Sequence, residues 1–249
     1  MYIHLLTAFS CLFLLLPATV CGQRVARDRY MKEISFSGYD WLVKSSFGRI
    51  GPGPNFFSHS PENVSVDLIG RLHLSVNKQD GRWLCAEVVS RQSFGYGRYE
   101  FLLGSNPVFL DDNIVFGLFT WDDQLRPCHN EIDIEFSNWG GSRTQNSQYV
   151  IHNSRNEMEK KRFNMPGRPN RTLHIITWTP GKLVFRSYRG RWPWKWRKIA
   201  SWTLSGDQVP APANEKVRIN LWLLGGQVPG RERNGETTIR INRFSFKAM

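Results

Sequence analysis

Glu131, Asp133 and Glu135 stand in the run His129-Asn-Glu-Ile-Asp-Ile-Glu-Phe136, where acidic and apolar residues alternate. In a strand, successive side chains point to opposite faces. The three acids therefore share one face. Ile132, Ile134 and Phe136 share the other, the expected core face. Neighbouring carboxylates raise one another's pKa. Such a row suits chemistry in which one acid stays protonated near neutral pH while another stays ionised. Glycoside hydrolysis has that requirement: one carboxylate attacks or stabilises the sugar, and another protonates the leaving oxygen. Retaining chemistry wants the two carboxyl groups roughly 5–5.5 Å apart. The Cα atoms of Glu131 and Glu135 lie about 13 Å apart in an extended strand, so their side chains must lean inward over Asp133. With eleven Glu and ten Asp in the chain, an E-x-D-x-E pattern arises by chance about 0.02 times. The alternatives are an acidic exposed strand or a calcium site.

The elements around this row read as β-structure. Helical periodicity is almost absent, and short alternating or apolar runs recur. Expected strands are Arg71–Val76, Trp83–Ser90, Gly97–Leu103, Asn113–Trp121, Glu131–Ser137, Ser147–His152, Arg171–Thr179, Lys182–Tyr188, Lys198–Thr203, Lys216–Leu223 and Thr237–Phe246. Turn signals separate them at Gln79-Asp80-Gly81, Asp111-Asp112, Pro180-Gly181 and Asn234-Gly235. Gly48–Pro61 and Arg155–Pro169 read as loops. Many short strands with such punctuation predict an all-β, antiparallel β-sandwich of jelly-roll type.

The chain has 249 residues, 41% hydrophobic and 13% aromatic, which excludes a disordered or fibrous protein. Residues 5–21, LLTAFSCLFLLLPATVC, are apolar, uncharged and followed by polar chain, the pattern of a secretory signal peptide ending near Gly22. Residues 23–249 are then expected to form one domain, secreted or at the cell surface, monomeric and without a membrane span. Lipidation of Cys21 is a lower-ranked outcome. Cys85 and Cys128 remain after the leader; a disulfide between them is one reading, two buried thiols the other. Asn63-Val-Ser65 and Asn170-Arg-Thr172 fit the N-glycosylation pattern. The net charge of +12 favours acidic partners. No nucleic-acid motif accompanies it, so a solvated basic surface is expected and nucleic acid is not.

The row Glu131-Ile-Asp133-Ile-Glu135-Phe136 resembles the signature of glycoside hydrolase family 16. So do Ala86-Glu87-Val-Val-Ser90, Phe94-Gly-Tyr-Gly-Arg-Tyr-Glu100, Asn113–Trp121, Ile176-Thr-Trp178-Thr-Pro180 and Ile219-Asn220-Leu-Trp222. The resemblance runs from about Tyr39 to Phe246. It implies a concanavalin-like jelly roll with a concave sugar-binding sheet. It implies Glu131 as nucleophile, Glu135 as general acid and then base, and Asp133 as the residue that tunes both. It implies substrate contacts from Trp222, Glu87, Trp121, Asn55, His152 and Trp139. The uninterrupted spacing is that of lichenases and xyloglucan transglycosylases, which tilts the substrate toward β-1,3-1,4- or β-1,4-glucan. Three positions depart from the lichenase pattern: Val89 replaces an Arg, His129 replaces a Trp, and Asn242 replaces an Asp that helps bind a structural calcium. No cofactor is expected.

Arg189-Gly-Arg-Trp192-Pro-Trp194-Lys-Trp196-Arg-Lys198 has no counterpart in that pattern. Its Trp residues alternate and are expected to pack on the convex face, with an aromatic-basic rim as the alternative. The expected function is a secreted retaining endo-glycosidase acting on polysaccharide. A transglycosylase, an anionic-galactan hydrolase and a non-catalytic glycan-binding protein are the other readings.

Overall fold

Alternation is plain in Gly97–Leu103, where every second residue is buried, whereas Ile114–Trp121 is buried almost throughout. In the computed structural model, described over residues 30–125, 129–141, 144–152, 157–168, 171–191, 195–230 and 236–249, sixteen strands follow one another. They are β1 (Tyr30–Phe36), β2 (Tyr39–Lys44), β3 (Phe56–Phe57), β4 (Val64–Val66), β5 (Leu72–Gln79), β6 (Arg82–Ser93), β7 (Gly97–Leu103) and β8 (Ile114–Trp121). Then come β9 (Ile132–Phe136), β10 (Ser147–His152), β11 (Met158–Phe163), β12 (Thr172–Thr179), β13 (Lys182–Arg191), β14 (Lys195–Ser205), β15 (Lys216–Leu223) and β16 (Glu236–Ala248). The expected leader lies outside the described residues. Among the described residues no helix is long and apolar enough to cross a membrane.

One sheet has the order β11-β10-β9-β8-β15-β6-β2-β1, and the other β4-β5-β16-β7-β12-β13-β14. β6 belongs to both: Arg82, Trp83 and Leu84 pair with β5, whereas Ala86–Val89 pair with β15. All pairings are antiparallel except β3 with β6. This is the predicted jelly-roll sandwich. Its core is filled by the inward residues of both sheets, among them Ile132, Ile134 and Phe136 of β9, Ile219 and Leu221 of β15, and Tyr99 and Phe101 of β7. A polar thread crosses it. The Tyr149 hydroxyl in β10 donates to Ser187 in β13, Ser187 meets His174 Nδ1 at 2.8 Å, and His174 Nε2 meets Thr172 Oγ1 at 2.9 Å. Burial pushes the His174 pKa down to about 3, so the imidazole stays neutral.

The hairpin turns follow the chemistry of their residues. Asp80 and Gly81 both take positive φ, 48° and 78°, between β5 and β6, the geometry that a two-residue hairpin selects. Gly97 is required for a different reason. A Cβ there would lie 2.3 Å from the Phe246 ring and 2.6 Å from the Lys247 carbonyl of β16. Gly97→Ala is therefore expected to cost about 1–3 kcal/mol by overpacking. Urea titration reads this, and an unchanged midpoint would contradict the contact.

Two expected loops change, and the readings of the sequons, the cysteines and the tryptophans are narrowed. β11 lies inside the stretch expected to be a loop, and β3 lies inside Gly48–Pro61. The sequon residue Asn63 is 1% exposed, and its Nδ2 donates to Ser75 O and Asn77 Oδ1, so that amide is not available to a glycan. Asn170 lies outside the described residues. Cys85 is a buried free thiol in β6, pushed up to about 12 by burial; Cys128 lies outside the described residues. Trp196 is partly exposed and packs on the sheet surface. It lies over Gly190, where a Cβ would meet its ring at 2.8 Å, with the Arg171 guanidinium 5.9 Å from the ring centroid. Trp192 and Trp194 lie outside the described residues.

Candidate active site

The sheet containing β9 presents a regular grid. Glu135 pairs with Gly117 of β8 on one side and Gln148 of β10 on the other. Asp133 pairs with Phe119 and Val150 in the next row. Gly117 in turn pairs with Asn220 of β15, and Asn220 with Glu87 of β6. One face of this grid lines a cleft of about 450 Å³ that crosses the strands from Lys44 on β2 to Asp133 and Glu135 on β9 and Glu131 just before it. β8 is apolar on both faces because Ile114, Phe116 and Leu118 enter the core while Phe119 and Trp121 line the cleft. Gly117 keeps the floor open, since a Cβ there would stand 2.6 Å from Asn220 Oδ1.

Glu131 enters β9 from a tight turn in which His129 and Asn130 take φ of 54° and 49°. His129 Nδ1 donates to the Asp122 carbonyl at 2.7 Å. Its ring lies flat on Trp121, centroids 3.9 Å apart and 10° from parallel. The pair forms an aromatic wall beside Glu131, and both line the cleft. His129, which stands where the lichenase pattern has a Trp, thus extends Trp121 rather than replacing an aromatic surface with a polar one.

The acids are unequal. Burial, then the charge of Glu135, pushes the Glu131 carboxyl up to about 8. Burial and the charges of both glutamates lift Asp133 well above the ordinary carboxylate range. A side-chain hydrogen bond between Asp133 and Glu131 lowers Glu131 and raises Asp133, so the shared proton rests on Asp133 and is donated to Glu131. The positive charge of Arg218 also favours ionised Glu131. Burial raises Glu135, opposed by the 2.6 Å hydrogen bond from Gln148 Nε2 and the charges of Arg162 and Lys160. His152 Nε2 stands 3.6 Å from Glu131 Oε2. Burial, then the nearby His129, lowers the His152 pKa and keeps that ring neutral.

A raised folded-state pKa means that stability is fully present below the unfolded pKa and is lost as pH rises through the folded value. For Glu131 that window runs from the ordinary 4.5 to about 8. Each tenfold change in proton affinity between the folded and unfolded chain is worth roughly 1.4 kcal/mol. Glu131→Gln is expected to flatten the fall in Tm between these limits. Parallel Tm curves for the two proteins would contradict it.

The expected substrate residues divide. Trp222 and Trp121 line the cleft, and His152 stands beside Glu131. Glu87 also lines the cleft but is fully buried, with both oxygens engaged: Lys44 Nζ at 2.8 Å and Arg218 Nη1 at 2.9 Å. Burial opposes its charge, and the two cations outweigh burial and lower its pKa. Arg218 also binds Asp123 at 2.6 Å. Asn55 is buried beneath the rim, donating to the carbonyls of Pro52 and Leu223. It holds the loop whose Gly51 and Pro52 face the cleft. Trp139 lies under the Arg162 guanidinium, 5.0 Å from its centroid. Lys44, Gly117, Arg218 and Asn220 are cleft residues that sequence reasoning missed. The signal for Arg218 and Asn220 was there, because they alternate with Trp222 on β15.

Among the described residues no group of three or more His, Cys, Asp or Glu side chains is placed to hold a metal ion. The residues around Asn242 do not fit a calcium ion. Its Oδ1 is buried without a hydrogen-bond partner, and a Cβ at Gly104 would stand 2.3 Å from it and 2.6 Å from Arg240 Nε. A guanidinium so near repels a cation.

A jelly roll whose concave sheet carries a row of half-buried carboxylates beside aromatic walls is the architecture of a polysaccharide-processing protein. The chain belongs to glycosyl hydrolases family 16, whose family model matches residues 55–188. No curated protein sequence matches it. Among solved structures it is similar to the β-glucanase of Bacillus licheniformis, with 19% identity, TM-score 0.63, and coverage of 84% of this chain and 92% of that one. It is similar to a prokaryotic β-1,3-1,4-glucanase (lichenase) from a mouse hindgut metagenome, with 19% identity, TM-score 0.60, and coverage of 88% and 99%. It is also similar to a Bacteroides ovatus mixed linkage glucan family 16 protein in complex with the product G4G4G3G. That match has 14% identity, TM-score 0.65, and coverage of 83% and 94%.

Proposed function

We propose that this protein is a secreted, retaining endo-glycosidase that hydrolyses a β-linked polysaccharide, with a β-1,3-1,4- or β-1,4-linked glucan backbone favoured. The observation that carries the reading is the arrangement of the row: Glu131, Asp133 and Glu135 line one cleft beside Trp121, His129 and Trp222, and Asp133 is hydrogen-bonded to Glu131.

The chemistry follows from that pattern. The Glu131 carboxylate attacks the anomeric carbon as Glu135 gives its proton to the departing glycosidic oxygen, leaving a glycosyl ester on Glu131. Glu135, now ionised, takes a proton from water, and the water oxygen displaces Glu131 and regenerates both groups. Asp133 stabilises the negative charge on Glu131 before attack and again as it departs. Trp222 and the Trp121–His129 pair offer flat apolar surfaces to sugar rings. Secretion rests on the apolar leader at residues 5–21.

The test is reducing-end release from barley β-glucan, lichenan, laminarin, xyloglucan, agarose and carrageenan, with proton NMR of the first product anomer. Release of β-anomeric ends from one polymer, lost in Glu131→Ala, supports the reading. Initial α-anomers would overturn retention. Silence on every polymer beside tight binding to one would replace catalysis with glycan binding.

A further inference from the structure

Beyond the acids, the concave sheet continues to its edge, and the edge strand is cationic. β10 pairs Gln148 with Arg162 of β11, and Val150 with Lys160. The rows therefore read Glu135–Gln148–Arg162 and Asp133–Val150–Lys160, continuous across three strands. Gln148 faces the cleft, since its amide bonds Glu135. Residues in one cross-strand row share a face, so Arg162 and Lys160 face the same way. Two strand spacings of about 4.8 Å put them roughly 10 Å from the acids. A pyranose repeat is about as long as the strand spacing, and the cleft crosses the strands. The cleft ends at the acids, but the same face continues over β10 to β11, so a chain that runs on past the acids sets its second ring from the scissile bond over β11.

Both cations are available for a ligand. Neither forms an ion pair with a carboxylate among the described residues, and the Arg162 guanidinium is held in place on Trp139. The nearest acid on β11, Glu159, pairs with Ile151 in the alternate register and belongs to the opposite face. The two positive charges reach far enough along the sheet to lower Glu135. Lys161, between them, turns the other way and donates to the Ser201 carbonyl of β14, so it takes no part.

We propose that Arg162 and Lys160 form a subsite for an anionic substituent, a sulfate ester or a carboxylate, on the sugar two rings from the cleaved bond. This rests on the glycosidase reading and narrows its substrate to a charged β-glycan. A planar guanidinium accepts either anion through two hydrogen bonds, and the ammonium adds an unspecific charge.

The probes share one backbone where chemistry allows it: lichenan, C6-oxidised lichenan and sulfated lichenan, with κ-carrageenan and its desulfated form as the second pair. Affinity is measured with Glu131→Gln protein, so that binding is scored apart from turnover. At least one anionic polymer is expected to bind about tenfold tighter than its neutral parent, with the gain falling as salt rises. Adding Lys160→Gln and Arg162→Gln together should bring that polymer to its parent's affinity, and Arg162→Lys should retain part of the gain. Preference for the carboxylate or the sulfate series identifies the anion. Equal binding of neutral and charged polymers, no binding to any charged polymer at low salt, or a double variant that keeps the full preference overturns the subsite. Hydrolysis is scored separately with the unsubstituted protein. Its absence beside an intact charge preference would overturn the glycosidase reading and leave the subsite standing.

Discussion

Glu131→Ala is expected to lower kcat/KM by roughly 10⁴-fold or more, the range found when a covalent nucleophile is removed. The loss should be the same for good and poor leaving groups, because the proposed nucleophile meets the sugar and not the aglycone. Glu135→Ala should behave differently. An activated aryl glycoside needs no proton on its leaving oxygen, so bond cleavage should survive largely intact while the polysaccharide is barely cut. Added azide separates the roles further. In Glu131→Ala it can occupy the vacated space and attack from the nucleophile's side, giving an α-glycosyl azide. In Glu135→Ala it can intercept the glycosyl ester from the other face, giving the β-anomer. Identical product anomers from the two variants would overturn the assignment. Steady-state kinetics with both substrate classes and NMR of the azide product make the measurement.

Glu87→Ala carries the largest expected effect on stability. The carboxylate is fully buried, and it is the shared anion of Lys44 and Arg218, whose side chains are each 6% exposed. Removing it leaves two cations in a cleft wall with one fewer counter-charge. Breaking such a buried network costs about 3–5 kcal/mol. Lys44 keeps its bond to the Gly51 carbonyl and Arg218 its bond to Asp123, which places the effect at the lower end. Glu87→Gln should cost less, since the amide oxygen still accepts from one cation. Urea unfolding reads both. A midpoint unchanged in Glu87→Ala would mean that the network contributes nothing net. The same substitution should also disturb the rim, because Lys44 ties Glu87 to the loop carrying Gly51 and Pro52.

How much of this was legible in the sequence depended on how many neighbours a residue needs in order to act. The β9 row needed none: its alternation set the acids on one face and Ile132, Ile134 and Phe136 on the other. Turns such as Asp80-Gly81 were legible because positive φ is a local demand. β11 was not. As an edge strand it buries little besides Phe163, so Met158–Phe163 shows charge where a central strand shows apolar alternation. Glu87 was found but its partners were not. Lys44 and Arg218 lie 43 and 131 residues away in sequence, and only the pairing of β2, β6 and β15 brings them together. Asn55 failed similarly, since its amide is consumed by Leu223, 168 residues distant. Ion pairs and caps made across a sheet leave no periodic trace.

β6 sits in both sheets, with Leu84 paired to one and Ala86 to the other. Two sheets held only by side-chain packing could separate by sliding. Two sheets threaded by one strand cannot, because opening either face breaks the ladder of the other. The amides around Cys85–Val88 thus belong to the last unit to exchange with solvent, and the molecule should melt as a single cooperative body. Glu87 lies within that unit. The cleft is thus anchored on the strand that both sheets share, and the rim loop carrying Gly51 and Pro52 is tied to it through Lys44.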